Sequence, residues 1–111
     1  MASYRTVRTD ESCRIEVEGG LTSLLVPELQ QALKAEVDKG ARLVTFDLQK
    51  TSMVDSSGIG LLIATFNTMK RKDGKMAVMN TAPDIFKLLQ SLRLTTRLNV
   101  SGRLGQEFDH E

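Results

Sequence analysis

The chain has 111 residues, of which 41% are hydrophobic and 26% charged, so it is long enough for one domain with an ordinary core and too short for two. Its 15 basic and 14 acidic residues leave a formal net charge of +1, which gives no electrostatic case for nucleic acid or an anionic membrane as the main partner. The single cysteine, Cys13, cannot form an internal disulfide, and no apolar run approaches the roughly 18 residues that a membrane span needs. We therefore expect a cytoplasmic protein with one domain over residues 1–111.

The first half of the chain predicts two strands followed by a helix. Residues 13–18 alternate between polar and apolar side chains, which is typical of a half-exposed strand. A strand over residues 4–8 is expected to precede it, and two adjacent glycines are expected to end it. Apolar residues at helical spacing then predict a helix over residues 23–39, with Ser23 as a candidate N-cap and Gly40 as its stop.

The second half predicts strands and helices in alternation. Residues 43–48 are almost continuously apolar or β-favouring, which predicts a strand buried on both faces. The helix after it has an apolar face of Ile59, Leu62, Ile63, Phe66 and Met69. A short strand over residues 75–79 leads to a third helix with a buried face of Ile85, Leu88, Leu89 and Leu92. Residues 95–100 are the last predicted strand, and the polar tail over residues 101–111 is expected to be poorly ordered.

The predicted order β-β-α-β-α-β-α-β indicates an α/β fold. Strands that alternate with helices form a parallel or mixed sheet with helical crossovers. In such a sheet, ligands usually meet the loops at the carboxyl ends of the strands. We therefore expect the functional site in the loop that follows the strand at residues 43–48.

That loop contains Asp55-Ser56-Ser57-Gly58, which suits the start of a helix. Either Asp55 or Ser56 can serve as the N-cap, by accepting a hydrogen bond from a backbone N–H of the first turn. Gly58 and Gly60 each cost about 1 kcal/mol relative to alanine inside a helix, so another backbone or a bulky partner is expected to approach there. The helix dipole favours an anion at this end, so a phosphate on Ser56 would be tolerated while adding about −1.5 to −2 charges.

The chain resembles the anti-sigma factor antagonist family, which is built on the STAS domain. The resemblance is carried by Leu43-Val44-Thr45-Phe46-Asp47-Leu48 and, after a short spacer, by Met53-Val54-Asp55-Ser56-Ser57-Gly58-Ile59-Gly60-Leu61-Leu62. It extends over residues 4–100 and implies a single α/β STAS-like domain, with a mixed sheet of four to five strands packed against three or four helices. Thr22 stands where the family often has an acidic residue.

The resemblance implies a non-enzymatic regulatory protein that is phosphorylated on Ser56. In such systems an anti-sigma factor that is itself a serine/threonine kinase binds the unmodified antagonist, and this binding frees the sigma factor. Phosphorylation ends the binding, and a phosphoserine phosphatase reverses it. ATP and Mg²⁺ belong to the kinase, so no cofactor or metal is expected to bind this chain. The balanced charge noted above likewise leads us to expect no direct binding to nucleic acid or a membrane. The expected partner-binding residues are Thr22, Ser23, Asp55, Ser56, Ser57 and Gly58.

Other functions remain open at this point. STAS-like domains also act as scaffolds of signalling assemblies and as accessory subunits of lipid transporters. A serine hydrolase using Ser56 or Ser57 has little support, because the only histidine is His110 and no G-x-S-x-G stretch is present. Asp55 could accept a phosphoryl group as in response-regulator receivers, but that chemistry needs further carboxylates for Mg²⁺ and a nearby lysine. Asp47 is one candidate carboxylate, but no acidic pair follows the first strand.

Two further groups of residues are interpreted as structural. The methionines at core-like positions are expected to serve as packing residues, with a flexible ligand pocket as the alternative; they are Met53, Met69, Met76 and Met79. A basic cluster is expected to be a solvated helix end, with a contact patch as the alternative; it comprises Lys70, Arg71, Lys72 and Lys75.

Overall fold

A computed structural model describes residues 2–103, and it contains strands and helices in the predicted order. The strands are β1 (Ser3–Thr9), β2 (Ser12–Leu21), β3 (Leu43–Val54), β4 (Lys75–Thr81) and β5 (Val100–Gly102). The helices are α1 (Val26–Asp38), α2 (Ser56–Arg71) and α3 (Pro83–Ser91). The expected α/β fold, a mixed sheet of four to five strands with three or four helices, is confirmed: residues 2–103 contain a sheet of five strands and three helices.

The sheet has the strand order β1-β2-β3-β4-β5, so neighbours in the sheet are also neighbours in the chain. β1 pairs with β2 in antiparallel orientation, and the other three pairs are parallel. Each parallel connection contains a helix, and such crossovers are almost always right-handed. With a sequential strand order, this handedness places α1, α2 and α3 on the same face of the sheet.

One hydrophobic core lies between that face and the helices. It takes every second residue of the central strands and the inner residues of each helix. Its fully buried members include Ile15, Leu29, Val44, Phe46, Leu48, Leu62, Val78 and Leu89. This core holds the ends of β2 and β3 in fixed positions, and the candidate site is built on those ends.

The opposite face of the sheet is not covered by any helix of the described residues. Leu43 is 37% exposed, and Thr45 and Asp47 are half-buried on that face. The prediction that residues 43–48 are buried on both faces is therefore wrong. The physical reason is the sequential strand order, which puts every crossover on one side.

Two predicted boundaries in the first half are also wrong. β2 does not end at the paired glycines but continues to Leu21, with irregular register there and a φ of 89° at Gly19. α1 begins at Val26 and not at residue 23, and no side chain caps it among the described contacts. Ser23 instead belongs to a turn between β2 and α1, which makes it part of the candidate site.

The buried face of α2 is rotated relative to the prediction. The residues that face the sheet are Gly58, Leu61, Leu62, Thr65 and Met69. Ile59, Ile63 and Phe66 are only half-buried, at the edge of this face. The rotation follows from the first turn of the helix, where Gly58 is pressed against the end of β2.

α3 and the last strand differ from the prediction as well. Ile85 and Leu89 are buried, whereas Leu88 and Leu92 remain 36% and 47% exposed. Residues 95–99 form turns, and the last strand is β5, so the strand predicted over residues 95–100 is wrong. Leu94 connects these turns to α3, since its N–H donates to the carbonyl of Leu89 at 2.9 Å and its carbonyl accepts from the N–H of Leu98 at 2.9 Å.

Part of the predicted polar tail belongs to the sheet, since β5 includes Ser101 and Gly102. Residues 104–111, and with them His110, lie outside the described residues, as does Met1. None of the helices within residues 2–103 is both long and apolar enough to cross a membrane.

Candidate functional site

Two loops meet at the carboxyl ends of β2 and β3. The strands are parallel neighbours, and their last paired residues are Leu21 and Val54. The turn over residues 22–25 follows β2, and Asp55 alone separates β3 from α2. The Ser56 surface, as we call it, consists of Thr22, Ser23, Asp55, Ser56 and Ser57.

Asp55 joins the two loops through its carboxylate. Its Oδ1 accepts a hydrogen bond from the N–H of Gly58 at 2.9 Å, which makes Asp55 the N-cap of α2. Its Oδ2 accepts from the N–H of Ser23 at 3.1 Å. The backbone N–H of Asp55 in turn donates to the carbonyl of Leu21 at 3.2 Å. Of the two candidate caps, the structure therefore selects Asp55.

These hydrogen bonds stabilise the ionised carboxylate. The N–H of Gly58 makes the largest contribution, and together with the N–H groups of Ser23 and Ser57 it holds the pKa of Asp55 below its ordinary value. Asp55 is therefore charged at neutral pH. Its negative charge lies at the positive end of the α2 dipole, which is the favourable arrangement.

Ser56 is the first residue of α2, and its side chain is exposed. Ser57 beside it is half-buried. The hydroxyl of Ser56 is therefore open to another protein, whereas Asp55 already receives the N–H groups of Ser57 and Gly58. A phosphate on Ser56 would add to a negative charge that the helix start already carries, and would not fill an unoccupied anion position.

The two glycines of α2 have different roles. A Cβ on Gly58 would overlap the carbonyl oxygen of Leu21 and would lie 2.8 Å from Cγ1 of Val54. A glycine is thus required at position 58 because the backbone of β2 approaches closely there, which was one of the two explanations expected from the sequence. Gly58 is also buried, so it offers little surface to a partner protein. Gly60 is exposed, and among residues 2–103 no atom outside its own helical turn lies within 4 Å of a Cβ built on it.

The turn over residues 22–25 is well defined by hydrogen bonds. The carbonyl of Thr22 accepts from the N–H of Leu25 at 3.0 Å and from that of Val26 at 2.9 Å. The hydroxyl oxygen of Thr22 also accepts from the N–H of Leu24 at 3.4 Å. Thr22 thus acts as a turn residue in the position where the family often has an acidic side chain.

Sequence reasoning missed two exposed apolar side chains at this site. Leu24 is 92% exposed, and Met53 is 52% exposed, which contradicts its predicted role in the core. The run Leu24-Leu25-Val26 held a signal for the first, since three consecutive apolar residues cannot all face one core. The sequence indicated the exposure of Met53 less clearly. Met53 immediately precedes Val54 in a strand, and neighbouring strand residues point to opposite faces, so the two side chains cannot both enter the core.

The other candidate groups of the sequence have structural partners or are buried. Oδ1 of Asp47 accepts from the N–H of Gln49 at 3.0 Å and from Nδ2 of Asn80 at 2.9 Å, so this carboxylate links the middle of β3 to the end of β4. Cys13 is buried in β2, and burial raises the pKa of its thiol. Within residues 2–103, no three His, Cys, Asp or Glu side chains come together as a metal site would require.

Comparison with known proteins agrees with this architecture. The family model described as the STAS domain matches residues 3–106. The anti-sigma-B factor antagonist of Staphylococcus aureus is 26% identical over 99 residues, which is 89% of this chain and 92% of that protein.

Two solved structures share the fold. The Bacillus cell fate determinant SpoIIAA in its phosphorylated form matches with a TM-score of 0.74 at 21% identity, over 88% of this chain and 90% of that one. A sulfate transporter family protein from Wolinella succinogenes also has a TM-score of 0.74, at 11% identity, over 88% of this chain and 82% of that one. At these identities the likeness concerns the fold alone, so function must be argued from the site.

Proposed function

The chain belongs to the STAS domain family, and we propose that it is an anti-sigma factor antagonist that binds an anti-sigma factor with serine/threonine kinase activity while Ser56 is unmodified. Binding would occupy the anti-sigma factor and thereby free its sigma factor. The observation that carries the proposal is the exposed hydroxyl of Ser56, at the first residue of a helix whose start is fixed by Asp55.

The proposed modification is a phosphoryl transfer from ATP held by the kinase. The Oγ of Ser56 forms a bond to the γ-phosphorus, the bond between that phosphorus and ADP breaks, and the hydroxyl proton passes to a base of the kinase. A phosphoserine phosphatase then hydrolyses the ester and restores the hydroxyl. In this scheme the chain is a substrate and a binding module, and it supplies neither cofactor nor metal.

Phosphorylation would act on binding through charge. The phosphate brings about −1.5 to −2 charges to a helix start where Asp55 is already ionised. A partner that covers this surface would have to desolvate both anionic groups, and any acidic group of its own would be repelled. The fold itself has little to lose, since the side chain of Ser56 lies outside the core.

The alternatives are weaker on the same observations. The likeness to a sulfate transporter family protein keeps a role as scaffold or accessory transporter subunit in view, but it shows the fold alone. A serine hydrolase would need a base next to Ser56 or Ser57, and residues 2–103 contain no histidine. We place the protein in the cytoplasm, together with the kinase.

Intact-mass measurement tests the proposal. The protein is incubated with ATP, Mg²⁺ and each purified anti-sigma factor kinase of the organism that supplies the chain. We expect the mass to rise by one phosphoryl group, with the modification mapped to Ser56. Ser56→Ala should stay unmodified, and Ser91→Ala, the matched control at the exposed serine that ends α3, should be modified like the wild type. If none of these kinases modifies the chain, or if Ser56→Ala is still modified, the proposal is wrong.

A further inference from the structure

The two most exposed large apolar side chains of the described residues both lie at the Ser56 surface. Leu24 is 92% exposed and Met53 52%, ahead of Leu92 at 47%. Single exposed apolar residues are common on protein surfaces and need no explanation by themselves. Here, however, both lie near the start of α2: Met53 precedes Asp55 by two residues in the chain, and the hydrogen bond from Ser23 to Asp55 brings the turn that contains Leu24 to the same place.

Leu24 is held next to Asp55 by the turn in which it lies. Its neighbour Ser23 donates its N–H to Oδ2 of Asp55 at 3.1 Å, and its other neighbour, Leu25, is 5% exposed in the core. The N–H of Leu24 itself donates to the hydroxyl of Thr22. The side chain therefore projects into solvent from a turn that is anchored on both sides.

Met53 is equally well positioned. It lies in β3, where its backbone is paired with Gly20 of β2, and it comes two residues before Asp55. A Cβ added to Gly20 would lie 3.4 Å from Cγ of Met53, so the methionine side chain lies over the backbone of the neighbouring strand. Its thioether is flexible and fits apolar surfaces of varied shape.

We propose that Leu24 and Met53 are the apolar anchors by which this chain binds the kinase that modifies Ser56, an inference that rests on the proposed function. A kinase must contact Oγ of Ser56, and a specific interface covers about 800 Å² on each partner. Residues one or two positions from Ser23 and Asp55 fall inside such an area. The kinase is therefore the partner that covers them, and it must present an apolar surface to this site.

Apolar anchors also explain why one phosphate suffices as a switch. The centre of an interface that carries most of the binding energy is well packed and free of water. A phosphate introduced beside such anchors would be desolvated without a partner of opposite charge. The apolar surface that favours binding of the kinase to the unmodified chain would therefore disfavour its binding to the phosphorylated chain.

The test compares the affinity of the kinase for single alanine variants by isothermal titration calorimetry. Loss of one buried leucine or methionine contact should weaken binding by about 10- to 100-fold, so we expect this for Leu24→Ala and for Met53→Ala. Leu92→Ala is the matched control, because Leu92 is an exposed leucine at the carboxyl end of α3, the opposite end of the sheet. The affinity of the kinase for Leu92→Ala should stay within about twofold of its affinity for the wild type.

The outcomes separate this inference from the function on which it rests. If the wild type binds and Leu24→Ala and Met53→Ala bind equally well, the anchors are wrong while the proposed function stands. If the wild type does not bind the kinase at all, both are wrong. Loss of folding would not account for weaker binding, because exposed side chains contribute little to stability. Urea denaturation checks this, and the midpoints of all three variants should match that of the wild type.

Discussion

Asp55 uses both oxygens of its carboxylate within the chain, and this use explains its place before Ser56. One oxygen starts α2 through Gly58, and the other holds the turn after β2 through Ser23. An aspartate does both at once because its two oxygens diverge and accept hydrogen bonds from separate donors. The phosphorylation site predicted from the sequence is thus presented by a residue that also fixes the neighbouring loop.

Replacement of Asp55 should lower stability in two steps. Asparagine keeps one acceptor oxygen and alanine keeps none, so at neutral pH the urea midpoints should fall in the order wild type, Asp55→Asn, Asp55→Ala. Because the pKa of Asp55 is lower in the folded than in the unfolded chain, its stabilisation is complete above the unfolded pKa. It is lost as the pH falls through the folded pKa.

Urea titrations from neutral pH down to about pH 3 measure this dependence. The difference between wild type and Asp55→Asn should narrow as the pH falls. Asp38→Asn is the control, because Asp38 forms an exposed ion pair with Lys34, and this variant should differ little from the wild type. A pH-independent difference for Asp55→Asn would show that the carboxylate charge is not what joins the loops.

At the scale of elements, α2 is seated directly on the end of β2. The space for this contact comes from Gly58, whose missing side chain leaves room for the carbonyl of Leu21. Gly60, two residues later, has no such neighbour within the described chain. The sequence does not distinguish the two glycines, but the packing of α2 predicts that a side chain at position 58 lowers stability and one at position 60 does not.

Alanine substitution of each glycine tests this difference. Gly58→Ala should lose about 1–3 kcal/mol, because the added methyl group forces the helix away from β2. Gly60→Ala should gain up to about 1 kcal/mol, because alanine is the better helix former and meets open space. Urea denaturation measures both, and each variant serves as control for the other. Equal effects of the two substitutions would contradict the seating of α2 on β2.

The order of the elements could be predicted from periodicity, because β2 to α3 each have a clear apolar pattern. Their limits were less predictable where local signals competed. Ser23 is a good capping residue, but a turn held by Thr22 takes its place before α1. The apolar run at residues 43–48 suggested burial on both faces of the sheet. Burial depends, however, on which face the helical connections cover, and a short stretch of sequence does not determine that face.

At the scale of the whole molecule, the site depends on the sheet. Ser23 and Asp55 are 32 residues apart in the chain, and they meet because β2 and β3 are parallel neighbours that end at the same edge. The sequence motif located Ser56 and the start of α2. The hydrogen bond between the loops follows from strand pairing, and neither it nor the exposure of Leu24 and Met53 could be predicted from the motif around Ser56.

Because Ser56 lies outside the core, its modification can change binding to a partner without unfolding the chain. A phosphate there meets solvent and the favourable end of a helix dipole, although the charge of Asp55 offsets part of that benefit. The modified chain should therefore stay folded, while the surface that it offers to a partner becomes strongly negative. Ser56→Ala, which cannot be modified, should keep the affinity of the unmodified wild type.

The most direct test of this switch is the affinity of the anti-sigma factor kinase for the unmodified protein and for the protein phosphorylated on Ser56. We expect phosphorylation to weaken binding by two to three powers of ten, a loss of about 3–4 kcal/mol. Equal affinity of the two forms would contradict the switch.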